Sequence, residues 1–92
     1  MPVRLIIEGT VQGVGFRHAL ATQAGALGLA GWVCNRRDGT VEACLKGPQQ
    51  EVEALVTWAH HGPPGAHVTR VTRTEADDAD ITGTGFHIAS TR

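Results

Sequence analysis

Two glycines and an arginine lie close together near the start of the chain, in the run Val11, Gln12, Gly13, Val14, Gly15, Phe16, Arg17. Glycine adopts positive φ without a Cβ clash, so the main-chain N–H groups around Gly13 and Gly15 can point toward one position. The guanidinium of Arg17 can donate two parallel hydrogen bonds to a phosphate. We call residues 11–17 the anion loop, because these residue types in this spacing predict a phosphate site.

The pattern of apolar residues places the anion loop between a strand and a helix. Apolar residues alternate over residues 3–7, and helix formers with apolar residues at helical spacing run from His18 to about Leu27, before Gly28. A helix N-terminus carries a partial positive charge, which would stabilise an anion in the loop. Glycine-rich turns also join strands to helices where no ligand binds, and a lone arginine there is often a surface charge.

The rest of the chain alternates in the same way between strand and helix patterns. We predict strands at about 31–36 and 40–47, a helix from Pro48 to Gly62, strands at 67–75 and 86–89, and an acidic connection at 76–85. The clean alternation in the third strand predicts a sheet that is covered on one face only. The order predicts an α+β, ferredoxin-like βαββαβ sandwich with an antiparallel or mixed sheet, both helices on one face and an extra C-terminal edge strand.

The predicted topology brings a second polar side chain to the anion loop. In a split βαβ unit the first two strands run parallel and are joined by a right-handed crossover, so the second strand ends where the first helix begins. A helix of about ten residues and a strand of about five both cover about 15 Å. Asn35 should therefore lie beside Arg17, where its amide can donate to and accept from water. Asparagine at a strand end also commonly forms turns.

These motifs resemble the signature of the acylphosphatase family. The resemblance covers the anion loop and continues, in the family's order, at residues 28–35, 38–42, 62–64 and 85–88. It implies an acylphosphate phosphohydrolase, which cleaves the carboxyl-phosphate anhydride of an acyl phosphate to a carboxylate and inorganic phosphate. No metal or other cofactor is expected, and phosphate should also act as an inhibitor.

The resemblance also implies roles for individual residues. Arg17 binds the phosphate and Asn35 holds the attacking water. The substrate's phosphate is further contacted by the remainder of the loop, namely Gln12, Gly13, Val14, Gly15 and Phe16.

Two further side chains lie near the predicted site. The hydroxyl of Thr40 either supports Asn35 and the water or belongs to a residue that simply favours a strand start. His18 follows Arg17 at a position where many relatives carry an aromatic residue, and we assign it no chemical role because a histidine in the first turn of a helix is usually exposed. The four other histidines show no ligand spacing, so we expect no metal site.

Composition narrows the choice of partners. The chain has 92 residues, enough for one domain over residues 1–92. A formal net charge of −1 argues against a nucleic-acid partner. An RNA-recognition module on the same fold is one alternative, but it would need aromatic residues for stacking, and the chain has no tyrosine and two tryptophans.

Short sequence motifs bear on the cellular compartment of the protein and on the remaining alternative functions. No apolar run reaches the roughly 20 residues that span a bilayer, and the N-terminus lacks a signal-type core. Cys34 and Cys44 lack CxxC spacing, which argues against a copper-chaperone function. Two cysteines are also too few for a disulfide framework, so we expect reduced thiols and a cytoplasmic location. We further expect a monomer. A carbamoyl-phosphate-handling domain, like that of the hydrogenase maturation carbamoyltransferase, shares the loop motif, but that protein is much longer.

Overall fold

The computed structural model describes all 92 residues. Its elements are β1 (Val3–Thr10), α1 (Phe16–Ala26), β2 (Ala30–Asn35), β3 (Val41–Lys46), α2 (Gln49–Ala59), β4 (His67–Glu75) and β5 (Phe86–Ile88), with a 3₁₀ helix at Asp78–Asp80. All predicted elements are present. α1 begins at Phe16 instead of His18, because Gly15 adopts a left-handed conformation and serves as the N-cap.

The strands form one mixed sheet in the order β4-β1-β3-β2-β5. β3 is antiparallel to both β1 and β2, so β1 and β2 run parallel with β3 between them. β4 pairs antiparallel with β1 at one edge, and β5 pairs parallel with β2 at the other. The predicted ferredoxin-like fold is therefore confirmed. It places the C-terminal end of β2 and the N-terminal end of α1 at the same edge of the sheet.

One face of the sheet is covered by α1 and α2, each of which turns an apolar stripe toward the strands. Leu20 and Ala24 of α1 are fully buried, as are Leu55 and Ala59 of α2. We call the resulting set the helix-side core, and its 16 members are Val3, Leu5, Ile7, Val11, Phe16, Leu20, Ala24, Leu29, Val33, Val41, Ala43, Leu45, Val52, Leu55, Val56 and Ala59. The rings of Phe16 and Trp58, 5.5 Å apart, join the two helices.

The opposite face is partly covered as well, so the prediction of a sheet covered on one face only was wrong. Residues 76–85, which we call the C-terminal strap, bury the part formed by β2 and β3. The strap-side cluster consists of Trp32, Cys34, Cys44, Ala76 and Ile81. Glu42 on this face is only 7% exposed. Its carboxylate lies 3.2 Å from Nε of Arg4, and this ion pair allows a charged residue of β3 to be buried.

Polar contacts fasten the strap to the strands. The indole N–H of Trp32 donates to the carbonyl of Asp80 at 2.8 Å. The Asp80 carboxylate lies 3.6 Å from the Arg4 guanidinium, and the Asp78 carboxylate lies 3.1 Å from Nζ of Lys46. Two of the three acidic residues of this segment, Asp78 and Asp80, therefore form ion pairs with the sheet, whereas Asp77 caps the 3₁₀ helix. Neither helix of the molecule is long and apolar enough to cross a membrane.

Candidate active site

The anion loop turns through two glycines in the left-handed region, Gly13 with φ of 77° and Gly15 with φ of 78°. A Cβ built at either position would meet no heavy atom within 4 Å. The backbone conformation, and not a lack of space, therefore requires glycine at both positions. Because α1 starts directly after Gly15, the curled loop and the first turn of the helix form one continuous surface.

The main-chain N–H groups of this surface have no partner within the chain. From Gln12 to His18, none donates a hydrogen bond to another residue. The N-cap of α1 makes no side-chain hydrogen bond, and the first turn contains no acidic residue. Free N–H groups at a helix N-terminus are normally satisfied by a side chain, by water or by a ligand. The loop therefore presents a set of donors that suits an external anion.

Arg17 and Asn35 belong to the elements that meet at this edge. Arg17 is half-buried in the first turn of α1 and forms no ion pair with a carboxylate of the chain. Asn35 is the last residue of β2, and alternation along the strand places it on the same face as buried Val33. Its Oδ1 atom is buried and has no hydrogen-bond partner. A buried acceptor without a donor is costly, so this atom suits a bound water.

The charge of Arg17 also reaches the residue next to Asn35. Burial raises the pKa of the Cys34 thiol, and so does Glu42, while Arg92, Arg36 and Arg17 oppose that rise. The positive charges of these arginines thus offset part of the effect of burial on the pKa of the Cys34 thiol.

Gln12 joins the anion loop to the turn between β2 and β3. Its Nε2 atom donates to the carbonyl oxygens of Arg36 at 2.7 Å and of Thr40 at 2.9 Å. Both amide hydrogens are used in this way, so the side chain cannot also donate to a substrate, although the main-chain N–H of Gln12 remains free. Sequence reasoning grouped Gln12 with the phosphate-binding residues. It missed this link because the partners lie 24 and 28 residues away.

The turn that follows Asn35 is held by its own hydrogen bonds. The hydroxyl and the main-chain N–H of Thr40 both donate to Oδ1 of Asp38, at 2.6 and 3.0 Å. These two bonds lower the pKa of the Asp38 carboxyl. The Thr40 hydroxyl hydrogen therefore stabilises the turn and is not free to donate to Asn35. Gly39 has a φ of 94°, in agreement with the tight turn predicted from the Asp-Gly pair.

A further residue at this edge had no signal in the sequence. The main-chain N–H of Arg92 donates to the carbonyl of Asn35 at 3.0 Å, and the carbonyl of Arg92 accepts from Arg37 at 2.7 Å. The Arg92 guanidinium lies over the ring of Trp32, 4.1 Å from its centroid. Asn35 is also paired with Val41 of β3. Its main chain is thus fixed from both sides.

Two other features lie outside this edge or take no part in it. His18 is exposed on α1, and no group of three His, Cys, Asp or Glu side chains is arranged to hold a metal ion.

A cleft of about 510 Å³ lies at the opposite end of the sheet, between the start of β1, the end of β4 and the start of α2. The anion loop lies outside this cleft. The candidate site is therefore defined by its free N–H donors and by the unpartnered Oδ1 of Asn35, and not by a deep cavity.

Comparisons with known proteins identify the family of this chain. The family model for acylphosphatase matches residues 3–88. An acylphosphatase of Paraburkholderia xenovorans (strain LB400) is 55% identical over 69 residues, which make up 75% of this chain and 71% of that protein. The structure of an acylphosphatase from Coxiella burnetii superposes with a TM-score of 0.87 at 31% identity, covering 96% of this chain and 90% of that one. The chain belongs to the acylphosphatase family.

Membership of the family gives the reaction. The protein is an enzyme that hydrolyses acyl phosphates, with a carboxylate and inorganic phosphate as products. The same fold occurs in full-length HypF in its phosphate- and nucleotide-bound form, with a TM-score of 0.83 at 27% identity. That match covers 98% of this chain but only 12% of HypF. Sequence identity to the two acylphosphatases is higher, at 55% and 31%, and this favours acyl phosphate hydrolysis over the function of HypF.

Proposed function

We propose that Arg17 and the free N–H groups of residues 12–18 bind the phosphoryl group of the substrate, and that Asn35 positions the attacking water. The water oxygen forms a bond to phosphorus while the bond from phosphorus to the acyl oxygen breaks, and the electron pair leaves with the carboxylate. Negative charge on the equatorial phosphoryl oxygens is stabilised by donors that are already in place. The leaving carboxylate is stable, so positioning and charge stabilisation supply most of the catalysis.

The proton of the water goes to an oxygen of the substrate's own phosphoryl group. No Asp, Glu or His lies within the anion loop, and the one carboxylate of the turn after Asn35, that of Asp38, already accepts two hydrogen bonds from Thr40. The single observation that carries the proposal is the pairing of unpartnered groups at one edge. Free N–H donors and an unpaired guanidinium stand on the loop side, and the buried Oδ1 of Asn35 stands on the strand side.

The finer assignments belong to the same proposal. We infer a cytoplasmic monomer formed by one domain over residues 1–92, with no cofactor and no nucleic-acid partner. The sheet face that could stack bases is partly covered by the strap, and Trp32 beneath it is 5% exposed. This arrangement argues against an RNA-recognition module on the same fold.

The proposal is tested by steady-state hydrolysis of benzoyl phosphate, with a chelator control and with inorganic phosphate as competitor. We expect Arg17→Ala to lower kcat/KM on the order of 10³-fold or more and to weaken phosphate inhibition, since it removes a charged donor from the phosphoryl group. Arg70→Ala, on exposed β4, is the matched control and should retain activity. Near-normal turnover by Arg17→Ala would refute the assignment.

Asn35→Ala separates water positioning from anion binding. We expect kcat to fall about 10²–10³-fold, with a much smaller change in the inhibition constant of phosphate, because Asn35 acts on the water. Equal losses in kcat and in phosphate affinity, together with a lower melting temperature, would indicate a structural role instead.

A further inference from the structure

We propose that Gln12 is a positioning residue, whose side chain sets the distance between the anion loop and the water held by Asn35. The inference rests on the proposed function of that site. It assigns to Gln12 a role different from the phosphate contact expected from the sequence.

The two hydrogen bonds of Gln12 connect the anion loop to both ends of the turn that follows Asn35. Arg36 comes directly after Asn35 and Thr40 closes the turn, and Nε2 of Gln12 donates to the carbonyl oxygen of each. No other hydrogen bond or ion pair joins residues 11–17 to residues 35–40. Gln12 is therefore the one side chain that links the phosphate donors directly to the turn after the water-holding Asn35, while the main chain of Asn35 is itself held by Val41 of β3 and by Arg92.

The turn after Asn35 keeps hydrogen bonds of its own without Gln12. The carbonyl of Arg36 also accepts from Gly39 at 3.1 Å, and the carbonyl of Thr40 also accepts from Arg36 at 2.8 Å. Each carbonyl thus keeps a donor when Gln12 is replaced, and no buried acceptor is left unsatisfied. Loss of the Gln12 amide should therefore leave the turn folded and free only its position relative to the loop.

A shift of the turn relative to the anion loop would change the alignment of the reacting atoms. In-line attack requires the water and phosphorus to be aligned, and a displacement of about 1 Å can cost about 10²-fold in rate. The loop donors do not involve the Gln12 side chain, so phosphate binding should be little affected. A positioning role thus predicts a loss in kcat with phosphate affinity retained. A direct contact with substrate predicts the opposite.

The experiment compares Gln12→Met, which has a similar shape but no donor, with the same change at Gln23, an exposed glutamine of α1. We measure kcat and KM on benzoyl phosphate, the inhibition constant of inorganic phosphate, and the melting temperature. We expect Gln12→Met to lower kcat about 10–100-fold. The phosphate constant should stay within about threefold of the wild-type value, which is at most about 0.65 kcal/mol, and Gln23→Met should match wild type.

A double-mutant cycle with Asn35→Ala shows whether Gln12 acts through Asn35. If it does, Gln12→Met should change kcat by less than about twofold once Asn35 is absent, because the two effects are not additive. A full Gln12 effect in the Asn35→Ala background, or a raised phosphate constant with unchanged kcat, would overturn the inference. Loss of activity in Asn35→Ala with none in Gln12→Met also overturns it, while leaving the proposed function intact.

Gln12→Glu supplies a second readout that does not depend on the methionine variant folding well. Its ionised carboxylate repels the two carbonyl oxygens, whereas the protonated form can donate one hydrogen bond again. The ratio of its kcat to the wild-type kcat should therefore rise as pH falls through about 4–5. A ratio that is independent of pH would contradict the proposed hydrogen-bond role of Gln12.

Discussion

The two faces of the sheet are stabilised by different means. The helix side buries 16 apolar residues under two helices, with no charged member among them. The strap side buries five apolar residues, two of which are cysteines, together with the charged Glu42, and the strap is held over them by ion pairs at Arg4 and Lys46. Apolar burial contributes about 25 cal/mol per Å², whereas exposed ion pairs contribute little. Burial on the helix side should therefore contribute most of the free energy of unfolding.

The difference also bears on where the active site lies. Alternation along β2 places Asn35 on the helix side, in line with Val33, and the first turn of α1 lies on that same side. The candidate site is thus supported by the more stable face. The strap contacts β2 from the other side, and none of its hydrogen bonds or ion pairs involves the anion loop or the side chain of Asn35. Substitutions on the helix side should therefore mainly lower the free energy of unfolding, whereas substitutions on the strap side should mainly promote local opening of the strap.

The largest expected effect is the loss of a helix-side core residue. Leu55 is fully buried on α2, and Leu55→Ala should lower the free energy of unfolding by about 2–5 kcal/mol, because it removes apolar contacts and leaves a cavity. Urea denaturation at pH 7 measures this. Thr57→Ala, an exposed position on the same helix, is the control and should change stability little. A loss below about 1 kcal/mol at Leu55 would show that the helix-side core does not dominate stability.

A smaller effect is expected on the strap side. Ile81 is 8% exposed and packs with Trp32 and the two cysteines. Ile81→Ala should lower the free energy of unfolding by about 1–2 kcal/mol, since the smaller cluster can collapse around the lost side chain. A loss as large as that of Leu55→Ala would contradict the proposed difference between the two faces.

The thiols of the strap-side cluster report on local opening. Burial raises the pKa of both Cys34 and Cys44, so both should react slowly with iodoacetamide in the folded protein. Ile81→Ala should speed labelling about tenfold if it destabilises the strap by about 1.4 kcal/mol. Mass spectrometry identifies the labelled residue, and Thr82→Ala, exposed on the strap, is the control. Equal labelling rates in both variants would show that the strap does not shield the thiols.

The question whether these thiols can crosslink is answered by the register of the strands. Cys34 is paired with Glu42, and Cys44 is paired with Trp32, so the cysteines stand diagonally and not opposite each other. Disulfides rarely bridge Cα atoms more than about 7 Å apart, and diagonal neighbours lie about 7–8 Å apart. Both thiols should therefore stay free under mild oxidation.

Much of the fold could be predicted because local pattern and tertiary environment agree. Helical spacing before Gly28, the Asp-Gly turn and strand alternation all describe elements that exist in the structure. The strap-side burial could not be predicted in this way. Glu42 occupies a position that alternation marks as solvent-facing, and it is buried because Arg4, far away in the sequence, neutralises it.

The candidate site likewise has residues that the sequence predicts and contacts that it does not. The glycines and Arg17 form one short segment, and the crossover rule brings Asn35 to it, so the sequence alone predicts their meeting. The links at Gln12 and Arg92 connect groups more than 20 residues apart through main-chain carbonyls. Such carbonyls are present at every residue, so residue identity carries no signal for the contact.

The smallest expected effect is an acid-dependent ion pair at the helix side. Arg73 of β4 donates to Glu53 of α2 at 2.8 Å through Nη1 and also through Nη2. These bonds lower the pKa of Glu53. A carboxyl whose pKa is lower in the folded state contributes stability that is fully present above its ordinary value of about 4.3 and is lost as pH falls through the folded value.

Glu53→Gln should therefore reduce the acid sensitivity of the helix side without changing its core. We expect the urea midpoint of the wild type to fall between pH 5 and pH 3 by more than that of the variant. The difference should be small and should shrink at high salt, because the pair is exposed to solvent. Glu75→Gln, exposed and in no ion pair, is the control and should follow the wild type. An identical fall in wild type and Glu53→Gln would show that packing alone joins α2 to β4.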